Sequence, residues 1–338
     1  MKPLSRIDIG AAAALGMAPI LPFAAFAAMA PLAAYTVALA FFGLPHVLSE
    51  LRYVDRRFGR RLPPALLAQI AALLCVIVAA RACVVFGAAP ASVGAPVELG
   101  SGALLALLCA RGGVARKAVA LSVAGAIGGA TMIAPFTTSV AVAILHNFTP
   151  LGFLWQIAPR GARPRVMAAA AFGLLLLPLL AAMGAAHWAF DAGPSPFDPL
   201  GAGPLAEHLG VYVPRPFLDG RAEDFFTASV IAQGAHYLAV IVILPWMLGR
   251  LDPGAAGLVR WPRGVLFALF CAGVAGLALG GFFADFARAR AYYGLFAAVH
   301  AWIEVPVLIL ALTGGVSGAS EVRAGARKFK PAPKRLPC

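Results

Sequence analysis

The chain has 338 residues, of which 61% are hydrophobic and only 12% charged. Soluble domains carry about 25% charged residues, so this composition excludes a water-exposed globule and any separate soluble domain. The formal net charge of +13 would suit a nucleic acid, but the basic residues fall in short clusters between apolar runs. That is the pattern of loops facing anionic lipid, not of a nucleic-acid surface.

At about 20 residues per span, the sequence predicts an all-α, polytopic membrane bundle of about ten helices. The first runs from Ile7 to Met29. It resembles a signal peptide, but the apolar character continues past Pro31, which favours an uncleaved helix. The second, Pro31 to Leu51, carries His46 and Glu50. Pro64 to Phe86, Val97 to Ala110 and Ala118 to Ile133 come next; the last two are short enough to form a re-entrant pair. The sixth, Phe136 to Ala158, carries His146-Asn147, and the seventh runs from Val166 to Trp188. A long loop, 189–224, is rich in Pro, Gly and Asp. The eighth helix, Phe225 to Leu248, carries Gln233 and His236-Tyr237. The ninth runs from Gly264 to Phe283, and the tenth, Tyr292 to Leu312, carries His300 and Glu304. Residues 1–314 thus read as one transmembrane domain with a basic tail, 315–338, behind it.

With the N-terminus in the cytoplasm, most of the 27 Lys and Arg fall on inner segments. That is the bias of a bacterial-type inner-membrane protein with both termini cytoplasmic. Arg81, near an outer helix end, is placed to snorkel. Asp55 reads as an interface charge paired with Arg52 and Arg56. Gly125, Gly128, Gly129, Gly276 and Gly280 suggest close helix contacts. No cysteine belongs to a C-x-x-C pair, and the four in apolar runs read as small core residues.

Six residues stand out. His46 and Glu50, like His300 and Glu304, are four apart, which puts both side chains on one face of a helix. His146 and His236 lie inside other apolar runs. The four histidine-bearing helices run in the same direction and carry their imidazoles at similar depth. A lone intramembrane histidine is often only a helix–helix hydrogen-bond partner, and His46 after Pro45 has a carbonyl to bond. Four at one depth, with two carboxylates, instead predict a shared metal site. A charged group at mid-membrane costs about 2.5–3.5 kcal/mol or more, and a divalent ion removes that cost by accepting the imidazole lone pairs and neutralising the acids. The donor set suits iron, with manganese or zinc as alternatives. Asn147 and Gln233 are placed to orient the ligands, and Tyr237 and Tyr53 to orient rings or supply a proton. His187 and His208 fall at the outer boundary and in the outer loop. Thr149-Pro150 and Pro306 would loosen two of the helices near the site.

Gly43-Leu44-Pro45-His46, with an acid at position 50, resembles the opening motif of the bacterial membrane β-carotene dioxygenases of the Brp/Blh type. Val47 and Glu50 stand where that family usually has Gly and Asp. The resemblance implies iron, molecular oxygen, cleavage of a lipophilic polyene, and His46 as a ligand with His146, His236 and His300 as candidates for the rest. A second class of function is a proton-coupled transporter whose His/Glu layer relays protons or binds substrate. A third is bis-histidine haem binding.

Overall fold

The computed structural model describes residues 8–185, 197–214 and 220–314, and every regular element among them is helical. Nine described stretches are long and apolar enough to cross a membrane, which makes the chain an all-α multi-pass bundle. Its surface agrees: Met132, Ile133 and Leu277 are 87%, 86% and 81% exposed, as lipid-facing residues are and water-facing ones rarely are.

The first span is broken, with α1 (Ile9–Met17) and α2 (Ile20–Met29) meeting at Pro19. α3 (Pro31–Phe58) is 28 residues long and continues well past Leu51. α4 (Pro64–Val85), α5 (Ala91–Leu108) and α6 (Val114–Ile133) are separate helices. α6 opens with Arg116 and Lys117 and is the one expected helix outside the nine. The sixth expected helix divides into α7 (Pro135–His146) and α8 (Thr149–Ile157). α9 (Arg163–Ala171) and α10 (Leu177–Ala182) are joined by a π-turn at Phe172–Leu176. A short α11 (Ala206–Tyr212) forms inside the expected loop. α12 (Ala222–Leu238) passes through a second π-turn, Ala239–Ile243, into α13 (Leu244–Leu251). α14 (Val265–Ala284) and α15 (Phe286–Leu312) complete the bundle.

Three corners consist of one residue each. Ala30 and Ala134 stand before Pro31 and Pro135 at φ −143° and −151°. Proline clashes with a helical residue before it, so each chain leaves the helix there and restarts at the proline. At the third corner Asp285 takes proline's place: it is extended, and its carboxylate accepts from the Arg288 amide at 3.0 Å.

Burial is uneven, and this decides where the site can be. The apolar windows of 31–61 and 222–251 are 72% and 78% buried, against 11% for 265–284. α3 and α12 are therefore the central helices, with α15 packed on α3 and α4.

Several expectations are corrected. Gly125, Gly128, Gly129, Gly276 and Gly280 have open space where a Cβ would stand, so they make no close contact among the described residues. The close approaches lie elsewhere: a Cβ on Gly102 would meet the Trp302 ring at 2.0 Å, and one on Gly234 the Phe23 ring at 2.2 Å. Of the four described cysteines only Cys109 is core; Cys271 is half-buried, and Cys75 and Cys83 are exposed because their helices are peripheral. Asp55 pairs with neither arginine. It accepts from the amides of Leu258 and Val259 and from Trp261 Nε1, pinning the 252–264 loop, while Arg56 bonds the Ala255 carbonyl and Arg52 lies over Phe267.

Gly102→Leu should overpack the α5–α15 contact and cost about 1–3 kcal/mol. Gly128→Ala, at an open helical position, should leave stability unchanged or raise it. Thermal unfolding of both variants in one detergent checks the pair, and equal midpoints would contradict the packing.

Candidate metal centre

The four predicted histidines come together. One nitrogen from each of His46, His146, His236 and His300 lies within 4.8 Å of the others, so the set can hold one metal ion. α3 supplies His46, α12 His236, α15 His300 and the C-terminal end of α7 His146. The break after His146 matters. Thr149-Pro150 starts a new helix there, so the imidazole projects from a helix end. The π-turn begins three residues after His236, and the extra residue in such a turn rotates α13 about its axis relative to α12.

Partners of the second nitrogen fix the tautomers. His46 Nδ1 donates to the Phe42 carbonyl at 3.2 Å. His146 Nδ1 donates to Glu304 Oε2 at 2.6 Å. Both residues therefore present a bare lone pair on Nε2. Those two lone pairs point at the same atom: His300 Nε2 lies 3.0 Å from His46 Nε2 and 2.9 Å from His146 Nε2. His300 can offer at most one proton there. At least one pair of nitrogens therefore meets lone pair to lone pair, which is repulsive unless a cation sits between them.

Glu304 is buried; His146 bonds one oxygen, and Thr149 Oγ1 lies 2.8 Å from the other, its single proton shared with the His146 carbonyl at 2.7 Å. It is thus a partner to a ligand and not the direct ligand expected of it. Glu50 is equally buried, and its Oε2 lies 3.4 Å from His236 Nε2. Neither Glu50 oxygen has a hydrogen bond among the described residues. The expected helpers divide. Tyr237 stacks on the His46 ring at 4.1 Å between centroids and accepts from Gln233 Nε2 at 2.6 Å. Asn147 donates to the Ala143 carbonyl. Tyr53 packs on Phe58 and Phe153 away from the histidines. Of the other two histidines, His208 lies in α11 and His187 lies outside the described residues.

A cavity of about 220 Å³ opens beside the centre. His46, His146 and His300 form one end of it, and Tyr237, Gln233 and Asn147 line its wall. Sequence reasoning missed other parts of that wall. Arg81 does not snorkel: it pairs with Glu98 and donates to the Gly294 carbonyl at 2.8 Å. Trp302 Nε1 also donates to Glu98, at 2.9 Å. An arginine and a glutamate in two successive apolar helices were the available signal, because each alone is costly in lipid.

Co²⁺ added to metal-stripped protein should bind one ion per chain. His300→Ala should abolish that binding, and Glu304→Ala, which frees the His146 ring, should weaken it about 10–100-fold. Calorimetric titration of variants with an unchanged gel-filtration profile checks both; wild-type affinity in His300→Ala would exclude a shared site. Comparison of the chain with protein-family models, curated proteins and solved structures found no match.

Proposed function

We propose that the chain is a membrane-embedded, metal-dependent oxygenase, with non-haem iron as the metal and a lipophilic molecule as the substrate. One observation carries the reading: three histidine Nε2 atoms converge with too few protons, at the end of a cavity. On a metal that takes six ligands, four imidazoles leave positions free for oxygen and substrate, which zinc in a closed tetrahedral site would not.

The metal would supply oxygen activation, and the chain's own groups do the rest. Glu304 and the Phe42 carbonyl lock the His146 and His46 rings in their metal-facing tautomers. Glu50 balances charge beside His236. The Tyr237 ring stacks on His46, and the residue lines the cavity, where its hydroxyl could hold a proton for the substrate. The Gly43–His46 resemblance supports oxidative cleavage of a carbon–carbon double bond. Dioxygen converts such a bond to two carbonyl groups with no external reductant, so no flavin or haem partner is needed. The positive-inside bias supports a bacterial-type inner membrane.

Protein purified from iron-supplemented cells should carry about one iron per chain and consume oxygen when given lipid extract. His146→Ala and His300→Ala should lose both properties. Folded, monodisperse wild type that holds no metal, and that moves protons when reconstituted in vesicles, would overturn this reading in favour of a transporter.

A further inference from the structure

The cavity has a second charged end that the metal chemistry does not use. Arg290 lies on α15 ten residues before His300, about 15 Å along a helix axis, and lines the same cavity. Its neighbours there are Tyr35 and Tyr212. Three ionised groups line the described cavity wall: Arg81, Glu98 and Arg290. Arg81 and Glu98 neutralise each other through two contacts. Among the described residues no carboxylate lies within ion-pair distance of Arg290. Asp198, in the neighbouring segment, accepts from the amides of Leu200 and Gly203, and its charge and that of Glu207 act on His208 without forming an ion pair with Arg290.

What Arg290 does bond is a neutral group. His208 Nε2 donates to the Ala202 carbonyl at 2.9 Å, so its Nδ1 carries a lone pair and accepts from Arg290 at 2.9 Å. Burial holds the His208 pKa below its ordinary value, which keeps the ring uncharged. His208 therefore aims the guanidinium without cancelling its charge. Arg290 is half-buried near the start of α15, with its guanidinium over the Phe286 ring, and a guanidinium pairs strongly with a carboxylate or phosphate. Between the two ends the wall is mostly apolar, with Leu39, Leu99, Val142 and Ala297 among its residues. The volume of about 220 Å³ equals about seven waters at about 30 Å³ each.

We infer that the substrate is an amphiphile with one anionic headgroup, a carboxylate or a phosphate, which Arg290 binds while the apolar chain runs to the four histidines. This rests on the oxygenase reading and sharpens it: the bond cleaved by dioxygen to two carbonyl groups is a carbon–carbon double bond in the chain, remote from the headgroup. An unsubstituted carotene offers nothing to Arg290.

The test is equilibrium binding of tritiated hexadecanoate, hexadecyl phosphate, hexadecanol and butyrate to the purified protein in nanodiscs. Either long-chain anion should bind saturably at about one per chain, and the tighter of the two identifies the headgroup. Arg290→Gln should weaken the anion at least tenfold and leave hexadecanol unchanged. Arg288→Gln, an exposed neighbour on the same helix, should behave as wild type. His300→Ala should lose metal yet keep anion binding, which separates failure of the metal reading from failure of this one. Wild-type affinity in Arg290→Gln, no saturable binding of either long-chain anion, or butyrate binding as tightly as hexadecanoate would overturn the inference. If Arg290→Gln does not fold, Arg290→Lys and the cavity-filling Ala297→Phe answer instead: both should weaken the anion, and wild-type affinity in either folded variant overturns it.

Discussion

Three imidazole nitrogens meet at about 3 Å with one proton too few, and the rest of the structure serves that meeting. His46 and His146 are locked into tautomers that point lone pairs at His300. Each lock needs a partner in a particular place: a backbone carbonyl one turn earlier on α3, and a carboxylate one turn later on α15. The Glu304 carboxylate in turn needs Thr149, which comes from the restart of the chain after the α7 break. Repulsion at the centre is thus maintained by favourable hydrogen bonds around it. Such an arrangement is sensible only if a cation relieves the repulsion when bound.

The irregular backbone stems from the same demand. Straight helices packed side by side do not readily aim four rings at one point. The chain solves this locally: a broken helix at His146, a π-turn just after His236, and proline within α3 and α15. In lipid such interruptions leave backbone groups without partners, and they are tolerated where neighbouring helices enclose them. Here they lie on or against the two most buried spans.

Much of this was legible in the sequence. Lipid selects strongly against polar groups, so His46, Glu50, His146, His236, His300 and Glu304 stood out within apolar runs, and a shared depth implied that they meet. What could not be read was which group serves which. Glu50 and Glu304 have identical spacing to their histidines, yet Glu304 bonds His146 from another helix and Glu50 faces His236. Such partnerships depend on helix rotation, which hydropathy does not encode. Asp55 and Arg81 were misjudged for the same reason: both looked like interface charges, and both turn towards distant segments. The glycines of α6 and α14 matched a packing motif, but the motif does not say which face is covered.

The ligands lie at positions 46, 146, 236 and 300, so they leave the ribosome far apart in time. The first span to carry one is made early, and the last is the final described helix. Until that helix has entered the membrane, His300 is missing from the middle of the set, and Glu304 is not there to turn His146. The four-histidine set is therefore complete only when the last helix is in place. A chain that lacks the last helix keeps three histidines and loses the Glu304 partner of His146.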